Sequence, residues 1–235
     1  MFTGSTVVLT GVGNAGQVGE VVARAFADLG ASTILVDRSA EKAQARAGEI
    51  SGAGLLTRGY GCDLSSADDV ARLVKDVAAN HGDRVDALVH MAGGFGMSGP
   101  VAESTIESWN RMIAINLTTA FLTSRAFLPL VRNARGSIVF FASQAALPGA
   151  NGKNMSAYAV AKGGVASLMR AIAAEERANG VRVNALAPAS IRTAANESAM
   201  GSDVRYVERE EVAAAVTFLC SSAASAITGE LLPLS

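Results

Sequence analysis

The hydrophobic residues of this 235-residue chain switch repeatedly between two spacings. Short continuous apolar runs are typical of buried strands, and apolar residues three or four positions apart are typical of amphipathic helices. The two patterns alternate along the chain, with no linker, repeat or low-complexity segment between them. Such alternation favours a parallel sheet that is covered by helices on both faces and joined by right-handed crossovers. We therefore predict one doubly wound α/β domain over residues 1–235, with a mostly parallel sheet of seven strands.

The bounds of the predicted elements follow from these spacings. Apolar runs predict strands at 6–10, 32–37, 55–62, 85–90, 137–142 and 181–186, followed by an apolar tail at 227–234. Helical spacing predicts helices at 18–29, 41–49, 68–80, 105–132, 158–179 and 210–221. We expect Pro129 to kink or end the fourth helix, because proline lacks the amide donor of a helix interior. Gly180 is the predicted stop of the fifth helix.

The composition argues against several function classes. A net charge of -1 and a pI near 6.1 give no electrostatic reason for a nucleic acid or an anionic membrane as partner. Cys62 and Cys220 are too few for a disulfide framework, and without a Cys or His cluster we predict no metal site. The chain shows no signal peptide, and no uncharged apolar run approaches the ~18 residues of a membrane span. We expect a soluble, cytoplasmic protein whose hydrophobic surplus is partly buried between subunits.

A glycine-rich turn follows the first predicted strand and opens directly into a helix. The segment Gly11-Val-Gly-Asn-Ala-Gly16 has the G-x-G-x-x-G pattern of dinucleotide-binding Rossmann folds, in the strand–turn–helix context that the pattern requires. Glycines allow the backbone to approach a diphosphate, and the helix start offers free N–H groups and a partial positive charge. The predicted cofactor-binding residues of this loop and helix start are Gly11, Gly13, Asn14, Gly16, Gln17 and Val18.

Asp37 ends the second predicted strand, where the ribose-binding acid of such a unit lies. A carboxylate there accepts hydrogen bonds from the adenosine hydroxyls and repels a 2′-phosphate. The next residue, Arg38, could instead bind that phosphate. The non-functional alternative for Asp37 is a carboxylate that only caps a helix or stabilises a turn. Because the glycine loop contains no Lys or Arg, we predict NAD as the cofactor rather than NADP.

Tyr158 and Lys162 are four residues apart in the fifth predicted helix. This spacing places a phenol and an ammonium side by side on one helix face. A neighbouring cation favours the phenolate, so we expect the pKa of Tyr158 to fall below its ordinary value of about 10. Such a tyrosine can exchange a proton near neutral pH. The alternative is an ordinary surface pair, because this motif is weak by itself.

The chain resembles the short-chain dehydrogenase/reductase family from its first strand almost to its last residue. The segments that carry the resemblance occur in the family's order, and their order and spacing together are specific. They are Thr10-Gly11, Asp63-Leu64, Ala92-Gly93, Asn116, Ser143, Tyr158-x-x-x-Lys162, Val183-Asn-Ala-Leu-Ala-Pro188, Ile191-Arg-Thr193 and Ile227-Thr-Gly229. The resemblance implies a Rossmann-fold enzyme that interconverts a carbonyl and an alcohol on a small molecule with NAD or NADP.

The resemblance also implies roles for the matching residues. We expect the adenine to bind at Asp63 and Leu64, and we expect Ala92 and Gly93 to line the floor of the cofactor site. The nicotinamide carboxamide is expected to contact Pro188, Ile191 and Thr193. The expected catalytic residues are Ser143 on the substrate oxygen, Tyr158 as its proton donor and acceptor, Lys162 on the nicotinamide ribose, and Asn116 on a water that relays protons to Lys162. The family further implies a homo-oligomer, dimer or tetramer, and we expect a short substrate lid around 190–209.

Two departures from the family pattern matter. His90-Met-Ala-Gly93 stands where the family has Asn-Asn-Ala-Gly, so we expect the side-chain bonds that brace the central sheet to be missing. The glycine spacing and the short lid also resemble dihydropteridine reductases, which generally lack a serine at the position of Ser143. A pterin reductase and a dinucleotide-binding sensor without turnover therefore remain alternatives to a carbonyl/alcohol oxidoreductase.

Overall fold

A computed structural model describes residues 2–51 and 56–235 of the chain. Its single sheet is parallel throughout and has the strand order β3-β2-β1-β4-β5-β6-β7. The strands are β1 (Thr6–Thr10), β2 (Ser32–Asp37), β3 (Thr57–Gly61), β4 (Ala87–His90), β5 (Ser137–Phe141), β6 (Arg182–Pro188) and β7 (Leu231–Leu234). The α-helices are α1 (Val18–Asp28), α2 (Ala40–Ile50), α3 (Ala67–His81), α4 (Ile106–Ile113), α5 (Thr119–Ala134), α6 (Ser156–Glu176), α7 (Ala194–Met200) and α8 (Arg209–Cys220).

The predicted fold class is confirmed, and the apolar tail supplies the seventh strand. The third predicted strand lies at Thr57–Gly61, and residue 55 of that prediction lies outside the described residues. Helix α7 was not predicted from the sequence, because its short segment carries no clear apolar period. Gly180 ends the α6 segment in the left-handed conformation, with φ of 74°, as expected.

The fourth predicted helix differs from its prediction. Helix α5 continues through Pro129 to Ala134, so of the two expected effects of Pro129, ending the helix is wrong and a kink stays a prediction. Phe127 and Val131, on either side of the proline, are fully buried, and this packing outweighs one missing amide bond. The irregularity lies earlier, in a π-helical turn at Ala114–Thr118 between α4 and α5.

The helical run Ile106–Ala134 has the length and composition of a membrane span. A helix that packs on the core of a soluble protein passes the same test, and this run contributes Phe127 and Val131 to the core. It also carries Arg111 and Arg125, so it is not an uncharged segment. The absence of a membrane partner stays a prediction.

Both faces of the sheet are packed against helices. Val8 of β1 belongs to the core layer under α3, α5 and α6, whereas Val7 and Leu9 belong to the layer under α1, α2 and α8. Successive side chains of a strand point to opposite faces, so a strand buried on both faces reads as a continuous apolar run. This explains why the strands were visible in the sequence.

The strand order positions the functional site. From β1 the chain proceeds outward to β2 and β3, and from β4 it proceeds to β5, β6 and β7 on the other side. In open parallel sheets, ligands bind at the carboxyl ends of the strands where the order reverses, which here is between β1 and β4. The glycine loop after β1 and Ala92-Gly93 after β4 therefore face the same crevice.

Candidate active site

A cavity of about 840 Å³ opens at the carboxyl edge of the sheet. The predicted site residues that line it are Gln17, Val18, Ser143, Tyr158, Lys162, Pro188, Ile191 and Thr193. They come from the start of α1, the segment after β5, the first turns of α6, and the end of β6 with the segment that follows it. The fold thus brings separate sequence motifs together around one cavity.

Tyr158 lies in the first turn of α6, and its ring packs edge-on against Phe95 with 5.1 Å between the ring centroids. Burial raises the pKa of Tyr158 above its ordinary value of 10.0, and a hydrogen bond with the Ser143 hydroxyl opposes this effect. The expectation that the pKa falls is therefore wrong for the protein's own groups, because desolvation of the phenolate is the larger effect. Ser143 Oγ is held at the strand end by the N–H of Ala145, at 3.2 Å.

Lys162 lies one turn further along α6 and is buried. Its Nζ donates to the carbonyl oxygen of Phe141 at 2.8 Å and lies 5.9 Å from the centre of the Tyr158 ring. Burial lowers the pKa of Lys162 to about 8, since the charged ammonium is desolvated. An ammonium has three donors, so two remain beside the Phe141 bond.

Asn116 sits in the π-helical turn, and its side chain binds backbone. Its Nδ2 donates to the carbonyl oxygens of Gly94 (3.0 Å) and Met112 (3.1 Å), and its Oδ1 accepts from the N–H of Gly94 at 3.1 Å. A Cβ atom on Gly93 would lie 2.5 Å from Asn116 Oδ1 and 3.4 Å from Lys162 Nζ. Glycine is therefore required at position 93, where these two side chains converge.

His90 joins three parts of the site from the buried end of β4. Its Nδ1 lies 3.1 Å from Thr10 Oγ1, at the end of β1, and its Nε2 lies 3.3 Å from Thr119 Oγ1, at the start of α5. Thr10 Oγ1 also accepts from the N–H of Ala92 at 3.2 Å. The expectation that the central sheet lacks side-chain braces is therefore wrong. The longer imidazole bridges from the sheet to α5.

The proton positions in this chain of hydrogen bonds follow from its two ends. Thr119 Oγ1 donates to the carbonyl oxygen of Ile115 at 2.9 Å, so it accepts from Nε2–H of His90. Thr10 Oγ1 accepts from Ala92, so its own proton points to Nδ1. The ring is thus neutral, and burial together with the charge of Lys162 lowers the pKa of His90 to about 3.

Asp37 lies at the end of β2, facing the glycine loop. Its Oδ2 accepts from the N–H of Gly13 at 2.9 Å, and its Oδ1 accepts from the N–H of Ser39 at 3.1 Å. Asn14 Oδ1 accepts from Lys42 Nζ at 2.9 Å, so the fold brings a cation to a loop whose own sequence has none. Asp37 is therefore fixed in orientation, and each carboxylate oxygen keeps a further lone pair.

The predicted adenine-binding residues follow β3. Leu64 is buried in the core, whereas Asp63 is exposed. Hydrogen bonds from the side chain and backbone of Ser65 lower the pKa of Asp63, and the nearby charge of exposed Arg38 adds to this effect. Asp63 is thus ionised and held in a turn beside Arg38.

The chain is similar to known proteins over almost its whole length. The sequence model of the family described as Enoyl-(Acyl carrier protein) reductase matches residues 11–234. The chain is 33% identical to 2-(S)-hydroxypropyl-CoM dehydrogenase 3 of Xanthobacter autotrophicus, over 95% of this chain and 92% of that protein. It is 34% identical to D-threitol dehydrogenase of Mycolicibacterium smegmatis, over 96% of this chain and 89% of that protein.

A solved structure of NAD+-bound xylitol dehydrogenase superposes with a TM-score of 0.90 at 27% identity, covering 99% of this chain and 98% of that one. The chain belongs to the short-chain dehydrogenase/reductase family. It is accordingly an oxidoreductase that acts on alcohols or carbonyls with NAD or NADP.

The start of α1 fits the diphosphate of the family's cofactor. Its N-cap residue, Gln17, makes no side-chain cap, whereas α2 and α3 are capped by Ser39 and Ser66. The first N–H groups of a helix have no intrahelical partner, so those of α1 are available to an anion. A Cβ on Gly19 would lie 2.6 Å from the carbonyl oxygen of Gly11, so glycine lets α1 pack directly on the loop.

Two residues that contact the candidate site were not predicted to do so from the sequence. Arg209, at the start of α8, donates from Nη1 to the carbonyl oxygen of Gly16 at 2.8 Å, across 193 positions of sequence. No local pattern could have indicated this contact. His90 gave a weak signal, as a polar residue that ends an apolar strand, but its partners depend on the strand order.

Proposed function

We propose that this protein transfers hydride between NAD and the reacting carbon of an uncharged alcohol or ketone, with Tyr158 as general acid and base. The observation that carries the proposal is the grouping of Ser143, Tyr158 and Lys162 on the wall of one cavity. The same cavity is lined by the N-terminus of α1, which has no side-chain cap. The nicotinamide ring, when bound, supplies the carbon that gives or accepts hydride. The protein's own groups handle the proton and the charge on oxygen.

In the direction of reduction, Tyr158 donates its proton to the carbonyl oxygen while Ser143 donates a hydrogen bond to the same oxygen. The raised pKa keeps Tyr158 protonated at neutral pH, which is the form that this step needs. Donors aimed at an oxygen that gains charge stabilise the transition state more than the ground state. In the direction of oxidation, the ammonium of Lys162 favours the phenolate that must form.

Proton resupply is the role proposed for Asn116. Its Oδ1 and the Nζ of Lys162 approach the same point above Gly93, so one water between them could connect Lys162 to solvent. Since both amide protons of Asn116 are used by backbone carbonyls, that water would bind at Oδ1. The pKa of about 8 lets Lys162 release and regain a proton near neutral pH.

The proposed cofactor is NAD, held with its adenosine ribose at Asp37. The oriented carboxylate accepts hydrogen bonds from ribose hydroxyls and repels a 2′-phosphate. Gly11, Gly13, Gly16 and Val18 would surround the diphosphate. The remaining proposed contacts are Asn14, Gln17 and Arg38 beside these groups, Asp63 and Leu64 at the adenine, Ala92 and Gly93 beneath the cofactor, and Pro188, Ile191 and Thr193 at the carboxamide.

The cavity walls support an uncharged substrate. Among the residues that the structure describes, Lys162 is the one charged side chain that lines the cavity. The substrate side is formed by apolar groups such as Leu147, Met155 and Met200, with the amides of Gln144 and Asn151. A carboxylate, phosphate or sulfonate buried there would lack a cationic partner, and an unpaired buried charge is costly. We expect ketones, diols or other neutral polyols.

Three coarser features complete the proposal. Residues 1–235 form one domain, in which 190–209 acts as a short lid whose base is held by the bridge between Ile191 and Val207. The exposed apolar side chains of Trp109, Phe121 and Phe218 favour a homo-oligomer, a dimer or a tetramer. We expect a cytoplasmic location and no nucleic acid, membrane or metal partner.

The Tyr158→Phe variant tests the mechanism. We expect it to lose almost all turnover of any accepted ketone, since the proton donor is gone, while its affinity for NADH changes little. Affinities for NADH and NADPH, measured by fluorescence, test the role of Asp37. Unchanged turnover in the variant would refute the role of Tyr158, and a clear preference for NADPH would refute that of Asp37.

Matched substrates test the pocket and the alternatives. Ethyl acetoacetate should be reduced and acetoacetate should not, because they differ mainly in the buried charge. Equal rates would refute the uncharged-substrate proposal. Turnover of a quinonoid pterin that survives Ser143→Ala would favour the pterin reductase. NADH binding without turnover across ketones, diols and pterins would favour the sensor.

A further inference from the structure

Arg209 and Glu20 bind the two backbone polar groups of Gly16. Arg209 Nη1 donates to the carbonyl oxygen of Gly16 at 2.8 Å. The N–H of Gly16 donates to Glu20 Oε2 at 2.8 Å. Gly16 is the last glycine before α1, so the guanidinium lies beside the uncapped helix start that fits a diphosphate.

The charge of Arg209 is not neutralised by a carboxylate. Glu20 is paired instead with Arg24, at 3.4 Å, and with Arg46, at 3.7 Å. None of the ion pairs found in the described ranges 2–51 and 56–235 involves Arg209. A positive charge thus remains at a loop that carries no Lys or Arg of its own.

The guanidinium of Arg209 is only partly satisfied by the protein. Nη1 binds Gly16, but Nε is buried and has no hydrogen-bond partner among the described residues. Buried donors are nearly always paired, so an unpaired one in a native fold requires an explanation. Nη2 is not among the buried unpaired atoms and makes no hydrogen bond to the described residues, so its donors are free to meet a ligand. Guanidinium N–H groups match the oxygens of a phosphate.

We propose that Arg209 binds the diphosphate of the dinucleotide. Anchored on Gly16, its guanidinium donates to a phosphate oxygen held at the start of α1. It thus adds, from α8, a second cation beside Lys42 to a loop whose own sequence has none. The inference rests on the proposed function, because it needs a dinucleotide at that loop. It assigns a binding residue that reaches the loop only through the tertiary fold.

The test compares ligands with and without a diphosphate. Dissociation constants for NADH are measured by fluorescence, and those for ADP-ribose and adenosine by displacement of NADH. For Arg209→Gln we expect NADH and ADP-ribose to bind about tenfold more weakly or worse, the size of a hydrogen bond to a charged group. Adenosine, which has no phosphate, should bind as it does to the unaltered protein. The variant's NADH affinity should also depend less on salt.

Arg24→Gln is the matched control, since it removes an arginine of α1 that pairs with Glu20 but does not bind Gly16. We expect its NADH affinity to stay within about twofold, because exposed ion pairs contribute little. Arg209→Lys keeps the charge but not the planar fork, and we expect an intermediate loss. It also decides the question if Arg209→Gln does not fold.

Two results would overturn the inference. NADH and ADP-ribose affinities that are unchanged in Arg209→Gln, or in Arg209→Lys if only that variant folds, would exclude a phosphate contact. An equal loss for adenosine would show that Arg209 only holds the loop in shape. If the unaltered protein binds no NADH, the proposed function itself fails. If the unaltered protein binds NADH and the variant binds it equally well, only the role of Arg209 fails.

Discussion

Replacing His90 by leucine would test the hydrogen-bond chain that joins β1, β4 and α5. The substitution puts an apolar side chain of similar volume in the buried site and removes both ring nitrogens. Thr10, which is fully buried, loses the acceptor for its hydroxyl proton, and Thr119 loses the donor at its oxygen. The packing of the ring against Phe140, with 6.2 Å between centroids, is also replaced.

The expected cost can be added up from these contacts. The lost bond to Thr119 costs about 1 kcal/mol net, and the buried Thr10 hydroxyl, left without an acceptor, costs about 1–3 kcal/mol. We therefore expect His90→Leu to lower the free energy of unfolding by about 2–4 kcal/mol at pH 7. His90→Asn, which restores one donor and one acceptor on a shorter side chain, should recover part of this loss.

The pH dependence gives a second signature with a fixed sign. The pKa of His90 is about 3 in the folded protein and 6.5 as the ordinary value, so the unfolded chain binds the proton first. Stability from the neutral ring is fully present above pH 6.5 and is lost as the pH falls toward 3. Between pH 7 and pH 5 the loss is about 2 kcal/mol, and His90→Leu should not show it.

Urea unfolding of both proteins at pH 7 and pH 5 measures these quantities. His81→Leu is the control, because His81 ends α3 in a partly exposed position with one bond to Tyr60, and we expect a cost below about 1 kcal/mol. If His90→Leu costs no more than this control, and if its stability falls with pH in parallel with that of the parent, the brace and its neutral ring are refuted.

Two further substitutions test the packing at the ends of α5 and α6 and at the glycine loop. Glu176→Gln weakens the ion pair between buried Glu176 and half-exposed Arg132, which joins the ends of α5 and α6. We expect the free energy of unfolding in urea to fall by about 1–3 kcal/mol. The control Glu175→Gln, at an exposed position, should change it by almost nothing. Equal costs would show that the pair contributes nothing. Gly19→Ala puts a Cβ 2.6 Å from a carbonyl oxygen of the glycine loop, so NADH binding should fall at least about tenfold. Gly48→Ala in α2, where a Cβ meets nothing within 4 Å, should leave NADH binding unchanged.

The sequence alone predicted the features that depend on near neighbours in the chain. Fully buried parallel strands read as unbroken apolar runs, so the strand and helix order was visible. The spacing of Tyr158 and Lys162 follows from the helix period, and the glycine loop follows from the turn between β1 and α1. Even the side of the sheet that carries the site follows, because parallel strands share their carboxyl edge.

Only the tertiary structure determined which distant groups meet and how deeply they are buried. Lys162 was expected to lower the pKa of Tyr158, but burial of the phenol has the larger effect and depends on the packing of other elements. His90 was expected to leave the sheet without a brace, yet the pairing of β4 with β1 and the packing of α5 place hydroxyls at both of its nitrogens. Arg209 meets Gly16 from 193 positions away. Desolvation and long-range contacts are set by the whole fold, so no local pattern in the sequence encodes them.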